Sequence, residues 1–111
     1  MKTLLLLYTL VTATVYNADP AQCNEDYLTT ASMKTINEEA PGLHKWIAVS
    51  RDLEELGFVF GTRVLVIGAG KLDGVWTIED RMNKRFIKSI DFLVNKKRKT
   101  GKWKNVKLVK L

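Results

Sequence analysis

Six short apolar runs constrain the fold of this chain more than any other feature. They are residues 11–17, "KWIAVS" at 45–50, "TRVLVI" at 62–67, "GVWTIE" at 74–79, "IDFLV" at 90–94 and "NVKLVKL" at 105–111. Most are rich in β-branched residues, which fit a pleated strand and lose side-chain freedom in a helix. Only "RDLEELG", at 51–57, reads as a helix, a short one ended by Gly57. Strands that follow one another at near-regular spacing argue against a parallel α/β sheet. They point to a mainly β fold, a closed six-stranded β-barrel with one or two short helices.

A chain of 111 residues with 46% hydrophobic and 27% charged content suits one compact domain. The connection at 18–42 is long and polar, and a helical turn is expected around residues 35–40 before Pro41-Gly42 stops it. Loops of that length in a compact domain usually carry function or are disordered. "GAGKLDG" has glycines at 68, 70 and 74, a spacing that fits neither GxGxxG nor the phosphate loop, so it reads as a tight turn.

Residues 1–13 have two competing readings. One cation, an apolar run and the small-residue step Val11-Thr12-Ala13 suit a short secretion signal, while the alternation in "LVTATVYNA" suits the start of the first strand. The run is too short to cross a bilayer as a helix. The lone Cys23 excludes an internal disulfide, and the only histidine, His44, is expected to open a strand.

The net charge of +6 is unevenly placed. Residues 95–111 carry eight cations and no acid, whereas residues 1–94 carry ten cations against twelve acids. Lys96, Lys97, Arg98 and Lys99 form the densest cluster. The tail reads first as an edge strand with a lysine-bearing, solvated face. An anionic wall polymer is the next partner to consider, and then nucleic acid, with Trp103 as a stacking platform.

Asp80 ends one apolar run and Asp91 opens the next, eleven residues on. Strands usually exclude aspartate. Two such residues can be turn formers or salt-bridge partners. They can also be a carboxyl pair in which one charge raises the other's pKa and keeps a proton available for general acid catalysis. Arg81, if it reached either carboxylate, would lower that pKa instead.

"TATVYNA", "WIAVS", "GTRVLVIG", "TIED" and "IDFLV", in this order, resemble the 3D (three-aspartate) domain family over roughly residues 11 to 111. That family shares a double-psi β-barrel with the membrane-bound lytic transglycosylase A, rare lipoprotein A and expansin N-terminal domains. The strings "WIAVSRDL", "MNKRF", "IDFLV" and "GKWKNV" are similar to those of its small phage-type and bacterial members.

The resemblance implies cleavage of a β-1,4 glycan, typically peptidoglycan, without a cofactor, by a monomeric protein of the cell envelope, the extracellular space or a virion. It matches Asp91 to the acid and then base, and Asp80 to the supporting carboxylate. It also puts Thr14 and Tyr16 on the strand that borders the groove. The family's first aspartate is replaced here by Ser50, and the glycines that follow its second by Arg81, Met82 and Asn83. Asp52 and Asp73 are the candidates for a third carboxylate. Three classes therefore stay open: a glycan-cleaving enzyme, a non-catalytic glycan-binding barrel of expansin type, and a structural or virion module.

Overall fold

The computed structural model describes residues 7–19, 26–98 and 100–111. Cys23, Lys99 and the first six residues of the signal-like segment lie outside the described residues. Six strands form: β1 (Thr9–Tyr16), β2 (Trp46–Val49), β3 (Arg63–Ile67), β4 (Gly74–Arg81), β5 (Ser89–Leu93) and β6 (Lys102–Lys110). They close into a barrel in the order β1-β5-β2-β4-β3-β6. β1 runs parallel to β5 and β2 parallel to β4, while the other four pairings are antiparallel.

Period-two alternation decides which side chains meet inside. Ile47 and Val49 of β2, Trp76 and Ile78 of β4, and Ile90 and Phe92 of β5 all belong to one buried core. Trp76 and Phe92 pack with ring centroids 4.7 Å apart. Each fully buried side chain of this kind adds about 1.5–3 kcal/mol relative to exposure, so the barrel interior dominates stability. Cleavage after Ala13 would take five residues from β1, with Val11 and Ala13 of the core among them.

The expected helix forms as α1 (Arg51–Glu55), closed by a turn at Leu56 and Gly57, and its end is legible in the chain. Gly57 takes φ +96°, the Gly57 N–H donates to the Glu54 carbonyl, and the Phe58 N–H donates to the Leu53 carbonyl. That paired bonding closes a helix with a left-handed glycine, and Leu53 and Phe58 meet in the core beneath it.

Three local expectations are corrected. The helical turn is a 3-10 turn at Pro41–His44, not at residues 35–40, because proline suits the first helical position, where its missing N–H costs nothing. His44 therefore ends that turn instead of opening a strand, and Lys45, at φ +57°, separates it from β2. β6 is not an edge strand, since it pairs with β1 and with β3, although its lysines do face solvent. "GAGKLDG" is a turn, built on a 3-10 segment at Gly70–Leu72.

The other face of β1, β5 and β2 is covered by part of the long connection. Leu93, Ala18 and Ile36 form a second buried cluster, flanked by Tyr16, Tyr27, Leu28 and Trp46. A bridge between Thr29 and Thr35 folds this strap upon itself. Among the described residues no helix is long and apolar enough to cross a membrane.

Candidate functional site

Strand register brings the two aspartates together. Ala48 of β2 is the partner of Asp91 on β5 and of Asp80 on β4, and Asp91 is also the partner of Thr14 on β1. Register partners share a sheet face, so Thr14, Asp91, Ala48 and Asp80 lie in one row, turned away from the core.

Asp80 reaches that face through an irregularity. Ile47 pairs with Ile78 but Ala48 pairs with Asp80, which makes Glu79 the extra residue of a bulge. Regular alternation from the buried Ile78 would turn Asp80 inward. The bulge turns it outward, a known use of bulges beside functional sites. Glu79, buried, is held by the Lys34 ammonium at 2.7 Å, and its carbonyl accepts the Ser32 N–H, so the same bulge anchors the strap.

Both carboxylates line a cavity of about 700 Å³ between the barrel face and the strap. The Asp80 carboxylate is fixed by three donors. The Tyr16 hydroxyl reaches Oδ2 at 3.0 Å, and the Ala31 and Arg81 backbone N–H groups reach Oδ1 at 2.9 Å each. Asp91 is half-buried and has one hydrogen-bond partner among the described residues, the Thr14 hydroxyl at 2.9 Å from Oδ1.

Burial pushes the Asp91 carboxyl up to about 6. The Thr14 hydroxyl draws it down, and the charge of Asp80 adds to the rise. Desolvation is thus the leading cause, and repulsion within the pair is a smaller one. The Arg81 guanidinium does not hold Asp91: it pairs with Glu54, Nε to Oε1 at 2.5 Å, and lies over Phe60.

The other candidates lie elsewhere. Ser50 is fully buried: its N–H donates to the Ser89 carbonyl, and its Oγ accepts the Ser89 N–H, each at 2.9 Å. Asp52 accepts the Lys88 N–H at 2.9 Å. Burial would raise its pKa, but hydrogen bonds from Ser50 and from the backbone of Lys88, Asp52 and Leu53 hold it below the ordinary value. Asp73 accepts from the Gly68 and Ala69 N–H groups and so closes its own turn. Neither Asp52 nor Asp73 lines the cavity, whereas Asp26, on the strap, does.

Sequence reading missed Asp26, together with Tyr27, Arg51, Arg85 and Phe86 on the cavity wall. Asp26 sits in an aperiodic loop, where no pattern assigns a direction to a side chain. His44 stacks on Trp46 at 3.9 Å and accepts the Asn37 N–H, which makes it part of the strap's seat. Among the described residues no three His, Cys, Asp or Glu side chains gather closely enough to hold a metal ion. No protein-family model, curated protein or solved structure matches the chain.

Proposed function

We propose that this protein is a glycan-cleaving acid/base enzyme of the double-psi barrel type related to the 3D family, a lytic transglycosylase acting on a β-1,4 glycan such as peptidoglycan. One observation carries the reading: a carboxyl with its pKa pushed up to about 6, Asp91, faces an open groove next to a second carboxylate pinned by three donors. A general acid needs a proton still bound near the working pH, and desolvation supplies that here.

In this reading protonated Asp91 donates to the glycosidic oxygen as the bond from that oxygen to the anomeric carbon breaks, its electrons leaving with the oxygen. Positive charge then develops on the sugar ring, and the Asp80 carboxylate, which lines the same groove, stabilises it. Asp91, now a carboxylate, takes the proton of the same sugar's primary hydroxyl, whose oxygen bonds to the anomeric carbon and closes an anhydro ring. No water is consumed, so one acid/base residue suffices. A hydrolase would instead need a second group to activate water.

The turn bearing Lys96, Lys97 and Arg98 adds contact with anionic wall polymer, and this reading puts the protein in the envelope, outside the cell or on a virion. Lys96 and Lys97 are exposed there, which supports the contact. A second reading, glycan binding without cleavage, is favoured by Ser50, which stands where the family has an acid and is committed to Ser89. Mass spectrometry of products from purified peptidoglycan separates the cases. Anhydro-muropeptides support the transglycosylase, reducing ends mean a hydrolase, and binding without products means the second reading.

A further inference from the structure

The barrel has a second distinctive face, carried by β6. In the closed strand order β6 lies three places from β2 in either direction, so this face is opposite the acid groove. Leu10 of β1 and Ile67 of β3 are both register partners of Lys107, one on each side. The next row joins Val109 of β6 to Leu65 of β3, and Leu65 to Val75 of β4. Tyr8 and Val109 line a shallow apolar cleft at the end of the same field, with Phe58 and Lys110 at its side.

Soluble barrels usually dress such a face with polar side chains. Here Tyr8 is 49% exposed, Leu10 46%, Ile67 38% and Val75 40%. Two cations stand among them: Lys107 sits 5.0 Å over the Tyr8 ring, and Lys104 is exposed on the same strand, whereas the Lys110 ammonium donates to the Leu56 carbonyl at 2.7 Å and lies over Phe58 at the barrel end. Lys107 makes no ion pair among the described residues. Exposed aliphatic side chains beside lysines that pair with no acid are suited to a surface that is anionic outside and apolar beneath.

We propose that this face docks on an anionic lipid bilayer, with Leu10, Ile67 and Tyr8 entering the headgroup boundary and Lys104 and Lys107 meeting lipid phosphates. A second copy of the chain fits less well. A two-fold contact through this field would bring Lys107 close to its own symmetry mate, within segments that each carry eight cations and no acid. Nucleic acid would use the cations but gain little from aliphatic side chains, because single strands are held by aromatic stacking. Docking through β6 leaves the acid groove turned away from the bilayer. The inference stands whether or not the groove cleaves glycan.

The test is co-sedimentation of the full chain with vesicles of phosphatidylcholine alone and with vesicles that also contain phosphatidylglycerol. Binding is expected only to the second kind. Lys107→Ser should weaken it about five-fold. The double variant Leu10→Ser and Ile67→Ser should weaken it by roughly ten-fold or more without changing charge. Both positions are exposed, so the thermal unfolding midpoint should stay close to that of the parent, and Lys107→Ser serves where it does not. Three results would overturn the proposal: no vesicle binding, binding that the aliphatic variants leave unchanged, or a dimer in solution that those variants dissociate.

Discussion

The Tyr16 hydroxyl on β1 donates to the Asp80 carboxylate on β4, although the two strands are not neighbours in the barrel. Together with the Ala31 N–H from the strap, this bond fixes the pinned member of the pair. The other member, Asp91, is held by Thr14 alone among the described residues and keeps one carboxylate oxygen for the groove. One carboxylate accepts from three donors and the other is desolvated, so the two titrate in different environments.

Asp91→Asn should abolish glycan cleavage, by ~10²-fold or more if proton transfer is its only contribution. It should also change stability in a pH-dependent way. The folded protein binds the Asp91 proton more tightly than the unfolded chain does, with a pKa of about 6 against 3.8. The parent's stability therefore falls as pH rises between about 4 and 6, by up to roughly 3 kcal/mol. The amide cannot ionise, so Asp91→Asn should raise the unfolding midpoint at pH 7 and leave it near the parent's at pH 4. Equal shifts at both pH values would mean that Asp91 is not desolvated.

Thr14→Val and Asp80→Asn should move the pH profile in opposite directions. The Thr14 hydroxyl favours the ionised form of Asp91, so its removal raises that pKa and shifts the alkaline limb of activity upward. Asp80→Asn removes a negative charge and shifts the limb downward. Because burial ranks above that charge among the causes, the shift should be small, and activity at acidic pH should persist. If Asp80→Asn kills activity at every pH while Asp91→Asn retains it, the two roles are reversed.

How much of this was readable from the chain depends on which residues alternate. The six strands and α1 were legible because β-branched runs and the glycine at 57 carry their own local rules. The outward lysines of β6 were legible too, but a strand's wet face says nothing about whether both of its edges are paired. That is why β6 read as an edge. The pair Asp80 and Asp91 could be named from spacing, yet the row that unites them depends on the bulge at Glu79, which no period announces. Asp26 and the donors on the strap are tertiary facts of an aperiodic loop.

Lys34→Ala should loosen the strap. It strands the buried Glu79 carboxylate, whose only ion-pair partner among the described residues is Lys34. Removing one partner of a fully buried pair costs several kcal/mol, but Lys34 is half exposed, so a loss of about 1–2 kcal/mol is expected. Hydrogen exchange at Ala31 and Ser32, which donate to Asp80 and to the Glu79 carbonyl, should rise more than exchange in the barrel core. Uniform exchange across both would place Glu79 outside the strap's anchoring.

Neutralising the tail turn tests its contact with polymer. Lys96→Ala with Lys97→Ala should weaken binding to anionic wall polymer and flatten its salt dependence, with little change in stability, because both side chains are exposed. Unchanged binding would make the turn a solvated loop and nothing more.

Ala48 lies between the two carboxylates in the row that unites them. It is the register partner of both, it lines the cavity, and it is only 4% exposed. Its methyl group is the smallest side chain compatible with a strand that leaves the space between Asp80 and Asp91 open. Ala48→Leu fills that space and should remove both glycan binding and cleavage, at an overpacking cost of about 1–3 kcal/mol that a folded barrel can absorb. It also removes water from beside Asp91, so the carboxyl should titrate at a higher pH than in the parent, read by NMR of its side-chain carbon. Raised titration with lost cleavage supports substrate passage over Ala48. Cleavage at the parent's rate with a filled groove would mean that the chemistry happens elsewhere on the barrel.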